Sequence, residues 1–336
     1  MTRQLGFFTR VLDAGTPAER YRLALEQVRA AEAAGYDGAA VAQHHFDGQE
    51  GGLPSPFVFL AQAAALTSRV RLTTGVVTLA LEDPVRVAED AAVLDQLSGG
   101  RVELGLASGG APSAFATFGL DFTERHALFA AKLDRLEAAL RGQDVGGGAG
   151  LYPPAGSLAD RLWLATFSEP LAIEAGRRGH GLMLSRTQPR PEREPDLPLG
   201  ALQDRLIDAY LEHLPAGVPP RVSVARSVFV ADDSSEALAL AETGLRRVAP
   251  MIEKVTGRDA SALTTRALIA ATDAAVGEAA EVRETLLADS ALARATHLSF
   301  QVHPIDPPHP SVLRSVDLIA RDVAPALGWV PALHTV

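Results

Sequence analysis

The chain has no cysteine. That excludes disulfides, thiolate metal sites and a cysteine nucleophile, and leaves the redox compartment open. It has no apolar run long enough to span a bilayer. The opening Met1–Gly6 lacks an apolar core behind a basic start, so a cytoplasmic location without a membrane partner is the expectation. Positive charge is in deficit: the net charge is −10 and the pI about 5.4. Such a balance weighs against nucleic acid or an anionic membrane as partner. No fixed-period repeat is present. No Gly-x-Gly-x-x-Gly opens a helix after the first strand, so the fingerprint of a nicotinamide site is missing.

What is there suits one large α/β barrel. The chain has 336 residues, 47% of them hydrophobic and 21% charged, enough for a sizeable core and too apolar for global disorder. Gln4–Thr9 predicts a first strand. Thr16 and Pro17 predict a helix start, as N-cap and first helical residue. Leu23, Ala24, Val28 and Ala31 then recur at helical spacing up to Gly35. Gly38–Gln43 reads as a second strand, with a glycine-rich loop and a helix from Pro56 to near Thr67 behind it. Val70–Leu79, Arg101–Ala107, Arg161–Phe167 and His180–Leu184 read as the third to sixth strands. Helices to Leu97, from about Phe122 to Arg141, and over Ser168–Arg178 lie between them.

Near-continuously apolar strands alternating with helices call for a parallel sheet. Arg186–Pro198 breaks the rhythm with four prolines and many charges. Leu199–His213 reads as helix and Val222–Ala231 as a seventh strand. From Ser234 to about Ala275 the chain reads as helix, broken near Gly257, and Glu278–Leu287 as another helix. Thr296–Val302 is an eighth strand and Ser311–Ala326 a last helix. The expectation is a (β/α)8 TIM barrel of the α/β class, a single domain over residues 1–336. An insertion follows the sixth strand, with 186–220 as a lid region.

Within that frame Val41–Asp47 stands out. It starts as a buried strand and ends in His44 and His45. In such barrels chemistry sits at the C-terminal tips of the strands. Adjacent residues of a strand point to opposite sides, so one imidazole can face a pocket while the other packs behind it. The plainer reading makes both surface or hydrogen-bonded structural histidines.

Several stretches together resemble the bacterial luciferase-like flavin monooxygenase superfamily. They are Ala33–Asp37, Gln43–Phe46, Thr74–Val77, Asp83–Arg86 with Ala88–Asp90, and Leu94–Arg101. Their order and spacing carry the likeness over residues 1–141. It continues more faintly through Arg161–Ser185 and Gln301–Pro304. The resemblance implies an (α/β)8 barrel with a late insertion, reduced FMN as cosubstrate (a deazaflavin coenzyme in a sister branch), O2, and a homodimer.

It also implies roles. His44 matches the histidine tied to catalysis in that family, and imidazole suits proton traffic near neutrality. His45 matches its partner and is placed among the cofactor contacts, although packing is the plainer role for it. Gly75 and Val76 match a non-prolyl cis peptide beneath the flavin ring; an ordinary glycine bulge is the alternative. Ser108 and Gly109 lie at the fourth strand's tip, where backbone without bulk can approach a ligand. Luciferases carry cysteine and arginine at the positions of Ala107 and Ser108, and this chain has neither. Phe167 and Ser168 match the turn that holds the FMN phosphate, at the positive end of a helix. Glu169 is the awkward neighbour there. Arg186, Arg190 and Arg193 could draw an anionic substrate. Arg186, Gln301 and His303 are the expected pocket residues.

The function expected is an FMNH2-dependent monooxygenase acting on a small organic molecule, fed by a separate NAD(P)H:flavin reductase. The alternatives are a deazaflavin-dependent oxidoreductase on the same barrel and a non-catalytic flavin-binding barrel. A metal-dependent hydrolase fits poorly. Neighbouring histidines on a strand cannot readily share one ion, and no His-x-His is present, so no metal site is expected.

Overall fold

The computed structural model describes residues 3–256, 259–302 and 307–331. Eight parallel strands close a barrel. They are β1 (Gln4–Thr9), β2 (Gly38–Val41), β3 (Arg71–Thr74), β4 (Val102–Ala107), β5 (Leu162–Ala165), β6 (Gly181–Leu184), β7 (Val222–Val230) and β8 (His297–Gln301). Neighbours pair in chain order, and β8 returns to β1 with Leu5 beside Leu298 and Phe8 beside Gln301. The outward faces meet a ring of helices. Leu5, Phe7, Val41, Leu72, Leu104 and Leu164 are fully buried there.

Local signals explain the helix starts. Thr16 and Glu19 cap each other's backbone at the start of Pro17–Ala33. Asp83 accepts from the N–H groups of Val85 and Arg86 at the start of Pro84–Ser98, and Gly99, at φ 69°, ends that helix in the left-handed region. The stretch Leu94–Arg101 works on structure rather than chemistry. Buried Asp95 takes both arms of Arg161, at 2.8 and 2.7 Å, and the N–H of Val102. Arg101 donates to the carbonyls of Ala64, Thr67 and Val70.

Three elements differ from expectation. The third strand is not continuous. It leaves its ladder with β4 at Gly75 and resumes at Val77–Thr78. Pro112–Thr117 is a short helix between the fourth strand's tip at 108–110 and the long helix, where none was expected. Ala274–Gly277 is a strand, where an alanine-rich helix was expected to run to Ala275. It pairs with Ser227–Val230, the upper half of β7, while the lower half closes the barrel against β8. β7 is long enough to serve both. Of residues 186–220, the first part is irregular chain, and Leu199–Glu212 is a helix packed beside helix Glu169–Arg177. A longer addition, with helices Ser234–Arg247, Ala249–Thr256 and Thr265–Ala271, follows β7.

Branched side chains normally fill the interior of such a barrel in layers. Gly6, Gly38, Ala40, Ala165, Ala225 and Ser299 line it instead. Its floor is polar and aromatic. Trp163 lies across it, donating to Glu103 at 3.0 Å, with Arg71 on the same carboxylate at 2.9 Å. A Cβ at position 181 would fall 2.1 Å from the Trp163 ring, so Gly181 is what lets the indole cross.

Candidate active site

Above that floor the C-terminal mouth of the barrel opens into a cavity of about 2050 Å³. Pockets for one small ligand are roughly 300–1,000 Å³, so this one has room for two molecules. Its rim divides into two arcs.

The first arc, at the ends of β3, β4 and β5, is built from backbone and small side chains. Between Thr73 and Val77 the third strand runs four residues against three on β4, a one-residue bulge. The Gly75–Val76 peptide in that bulge is cis. Thr74 holds the detour: its hydroxyl donates to Gly105 O and accepts from Gly105 N–H, both at 2.8 Å. A Cβ on Gly105 would sit 2.2 Å from Thr74 O, so the clamp needs glycine. Gln43 grips the other side. Its backbone N–H donates to Val76 O, its amide oxygen accepts from Thr78 N–H at 2.7 Å, and its amide nitrogen donates to Glu82 and Pro54 O. The result is a fixed shelf facing the cavity.

Beside it, Ser108 and Gly109 line the same wall. Gly109 has φ 87°, and a Cβ there would come within 2.5 Å of Thr78. Next, Phe167 and Ser168 lead into helix Glu169–Arg177. Ser168 occupies the N-cap position, yet its side chain makes no capping bond. Its hydroxyl meets that of Thr166 at 3.1 Å. The N–H groups of Glu169 and Leu171 (Pro170 has none) are therefore left without a side-chain acceptor among the described residues, the setting in which helix ends bind anions. Glu169 is exposed and does not line the cavity, which removes the repulsion expected beside a phosphate. Arg125 does line it, with its guanidinium over the Phe122 ring.

The second arc, at the ends of β6, β7, β8 and β1, carries Arg186, Ser227, Gln301 and Arg10. It is rich in polar atoms without partners. Arg186 makes one long bond, 3.3 Å, to Ser227. Gln301 is fully buried, and among the described residues neither its amide oxygen nor its nitrogen has a partner. Burial first, and then the Arg10 charge, push Arg186 down to about 9.

His44 stands at the end of β2, between the arcs. Its N–H donates to Leu53 O at 2.9 Å, and its Nδ1 is buried without a partner among the described residues. A Cβ on Gly51 would lie 2.4 Å from that nitrogen, so glycine gives the ring its place. Burial, then the charges of Arg10 and Arg186, hold His44 at about 4, with Asp47 opposing. At neutral pH it is an uncharged proton acceptor. His45 does not line the cavity. Pointing to the other side of the chain, its ring packs edge-on against Phe118, 5.1 Å away, and beside Phe46. His303 lies outside the described residues.

The segment between β6 and helix Leu199–Glu212 crosses the mouth and is pinned on two sides. Gln188 donates to Phe167 O, and Arg190 pairs with Asp273 at 2.6 Å. Arg190, expected as a free cation, is therefore a strut; Arg193 is exposed. Sequence reasoning missed Gln43 as a clamp, and Arg10 and Arg125 altogether. A single arginine after a strand or before a helix carries no local signature. Among the described residues no cluster of His, Asp and Glu could hold a metal ion, and no helix is long and apolar enough to cross a membrane.

Comparison with known proteins agrees with this architecture. The profile of luciferase-like monooxygenases matches residues 3–298. The 4-hydroxyprotoasukamycin monooxygenase of Streptomyces nodosus subsp. asukaensis is 33% identical over 61% of this chain and 57% of its own length. The chain spans less than two thirds of the curated relatives it matches first. The oxygenating constituent of 3,6-diketocamphane monooxygenase from Pseudomonas putida, solved with FMN, superposes with a TM-score of 0.78. It shows 20% identity over 97% of this chain and 98% of that one. An F420-dependent secondary alcohol dehydrogenase superposes with a TM-score of 0.72, at 17% identity over 97% of this chain and 99% of that one. At such identities the structures speak to fold alone. The profile match covers most of the barrel, and the chain belongs to the luciferase-like monooxygenase family.

Proposed function

We propose that the protein is a flavin-dependent monooxygenase that takes reduced FMN from a separate NAD(P)H:flavin reductase and uses O2 to oxidise a small organic substrate. The observation that carries this reading is the first arc: a clamped backbone shelf with an open helix N-terminus at its end. A flat ring system fits over Gly75–Val76 and beside Gly109. A phosphate fits at Ser168, with Thr166 and Arg125 lining the same cavity. A reduced flavin bound there supplies two electrons, so that with O2 one oxygen atom enters the substrate and the other leaves as water.

The residues of this chain do the rest. Gln43 and Thr74 hold the shelf. Neutral His44, whose ring lines the cavity, accepts a proton as oxygen is transferred. The segment over the mouth, acting as a lid, excludes bulk water. Exposed Val58 and Leu66 on one helix, with Val93 and Leu97 on the helix packed beside it, support the expected homodimer.

An anaerobic titration with FMNH2 and, in parallel, reduced F420 tests the reading. Tight FMNH2 binding, followed by slow reoxidation in air that a substrate couples to product, is the expected result. Preference for the deazaflavin, with hydride transfer and no need of O2, would replace it. The dehydrogenase superposition gives that outcome its footing.

A further inference from the structure

We propose that Arg10 and Arg186 form a recognition site for an oxyanion, a carboxylate or sulfonate, carried by the organic substrate. The proposal rests on the flavin reading above and adds the class of molecule that fills the second arc. Most buried arginines of this chain have a partner. Arg161, Arg190 and Arg226 each meet a carboxylate, at 2.7, 2.6 and 2.7 Å. Arg101 and Arg221 donate to backbone carbonyls. Arg10 and Arg186 have neither. Among the described residues the Arg10 guanidinium makes no hydrogen bond and its Nε is buried without a partner, while Arg186 has only the long contact to Ser227.

Two cations near each other in a poorly solvated wall repel, and an unpaired buried charge is costly. A bound anion removes both costs. Glu50 lines the cavity and attracts Arg10, but it is exposed and forms no ion pair with it. The geometry suits a planar or tripodal oxyanion, since guanidinium forks match such groups with paired N–H donors. The register places the partners together. Gln301 lies beside Phe8 of β1 and Ser227 of β7, with Arg10 two residues beyond the one and Arg186 two residues beyond the end of β6. Gln301 thus lies between the two arginines in the wall, and its amide N–H2, unpartnered among the described residues, is the end that can donate to an oxyanion they hold. His44, next along the rim, is where an anchored substrate would present its reacting atom. The mutual lowering of Arg186 and His44 by Arg10 agrees with a site short of negative charge.

The test is calorimetric titration with benzoate and benzenesulfonate, each beside its neutral partner, benzamide or benzenesulfonamide. Wild type is compared with Arg10→Gln and Arg186→Gln. The expected result is at least ~10-fold tighter binding of an anion than of its amide, and a loss of ~10-fold in each variant. Affinity for FMNH2 should stay within about twofold in both variants, because the phosphate and ring lie on the other arc. The better of the two anions names the oxyanion. Anions that bind wild type no better than the amides overturn the proposal, and that comparison needs no variant to fold. Variants that keep anion affinity, or that lose FMNH2 instead, also overturn it; the latter would assign the arginines to the reduced ring. Anion binding without FMNH2 binding would leave this site standing and remove the flavin reading. FMNH2 binding without anion binding would do the reverse.

Discussion

The ends of β3, β4 and β5 present backbone and small side chains to the cavity, whereas the ends of β6, β7, β8 and β1 present cations and amides. The first arc is finished. Thr74 and Gln43 tie the shelf to Gly105 and Thr78 through short hydrogen bonds. The second is unfinished: among the described residues the Gln301 amide, the Arg10 Nε and the His44 Nδ1 have no partner. A finished wall recognises by shape, and suits a ligand whose form never varies. An unfinished one recognises by charge and hydrogen bonding, and waits for a ligand to complete it. One barrel can thus hold a fixed cofactor on one side and a changing substrate on the other.

The largest expected effect separates the rim from the floor. His44 and His297 both sit at about 4, chiefly through burial, against an unfolded value near 6.5. Both stay neutral in the fold while the unfolded chain takes up protons. Their stability contribution is complete above pH 6.5 and is lost as the pH falls toward 4, on the order of 3 kcal/mol for each. Urea denaturation at pH 7, 5.5 and 4.5 should show this slope, and His297→Asn should flatten part of it. Benzoate bound to the second arc should change the His44 share alone.

His44→Ala should slow turnover by ~10²-fold or more, the usual scale for an acid–base group. FMNH2 affinity should hardly change, since His44 belongs to neither wall of the shelf. Steady-state kinetics beside an anaerobic binding curve checks both. Next comes Gly109→Val, which puts bulk against Thr78 at a positive φ. It should weaken FMNH2 by ~10-fold while sparing benzoate; equal losses would erase the distinction between the arcs. The smallest effect is expected from Ser168→Ala, about threefold on FMN and none on riboflavin, as for one exposed hydroxyl at the low end of hydrogen-bond strength. Fluorescence titration of both flavins compares them.

Much of the barrel is legible in the chain because its signals are local. Thr16 with Glu19, and Asp83 before Pro84, announce helices through contacts within three residues. The alternation of apolar strand and amphipathic helix does the rest. The misses share one cause. Ala274–Gly277 is a strand only because the upper half of β7 needs a neighbour, and its alanines say nothing of that. Arg190 looked like a free cation until Asp273, far along the chain, came to meet it. The candidate site follows the same rule. His44, Gly75 and Ser168 were legible through motifs. Arg10 stands out only once the ends of four strands are gathered, and it is seen to lack the partner that other arginines have.

The most direct test of the two-arc account is a crystal structure of the protein with FMN bound. The account predicts the ring over Gly75–Val76, the phosphate at Ser168, and Arg10 and Arg186 clear of the phosphate. A phosphate seated on those two arginines, with the shelf bare, would contradict it.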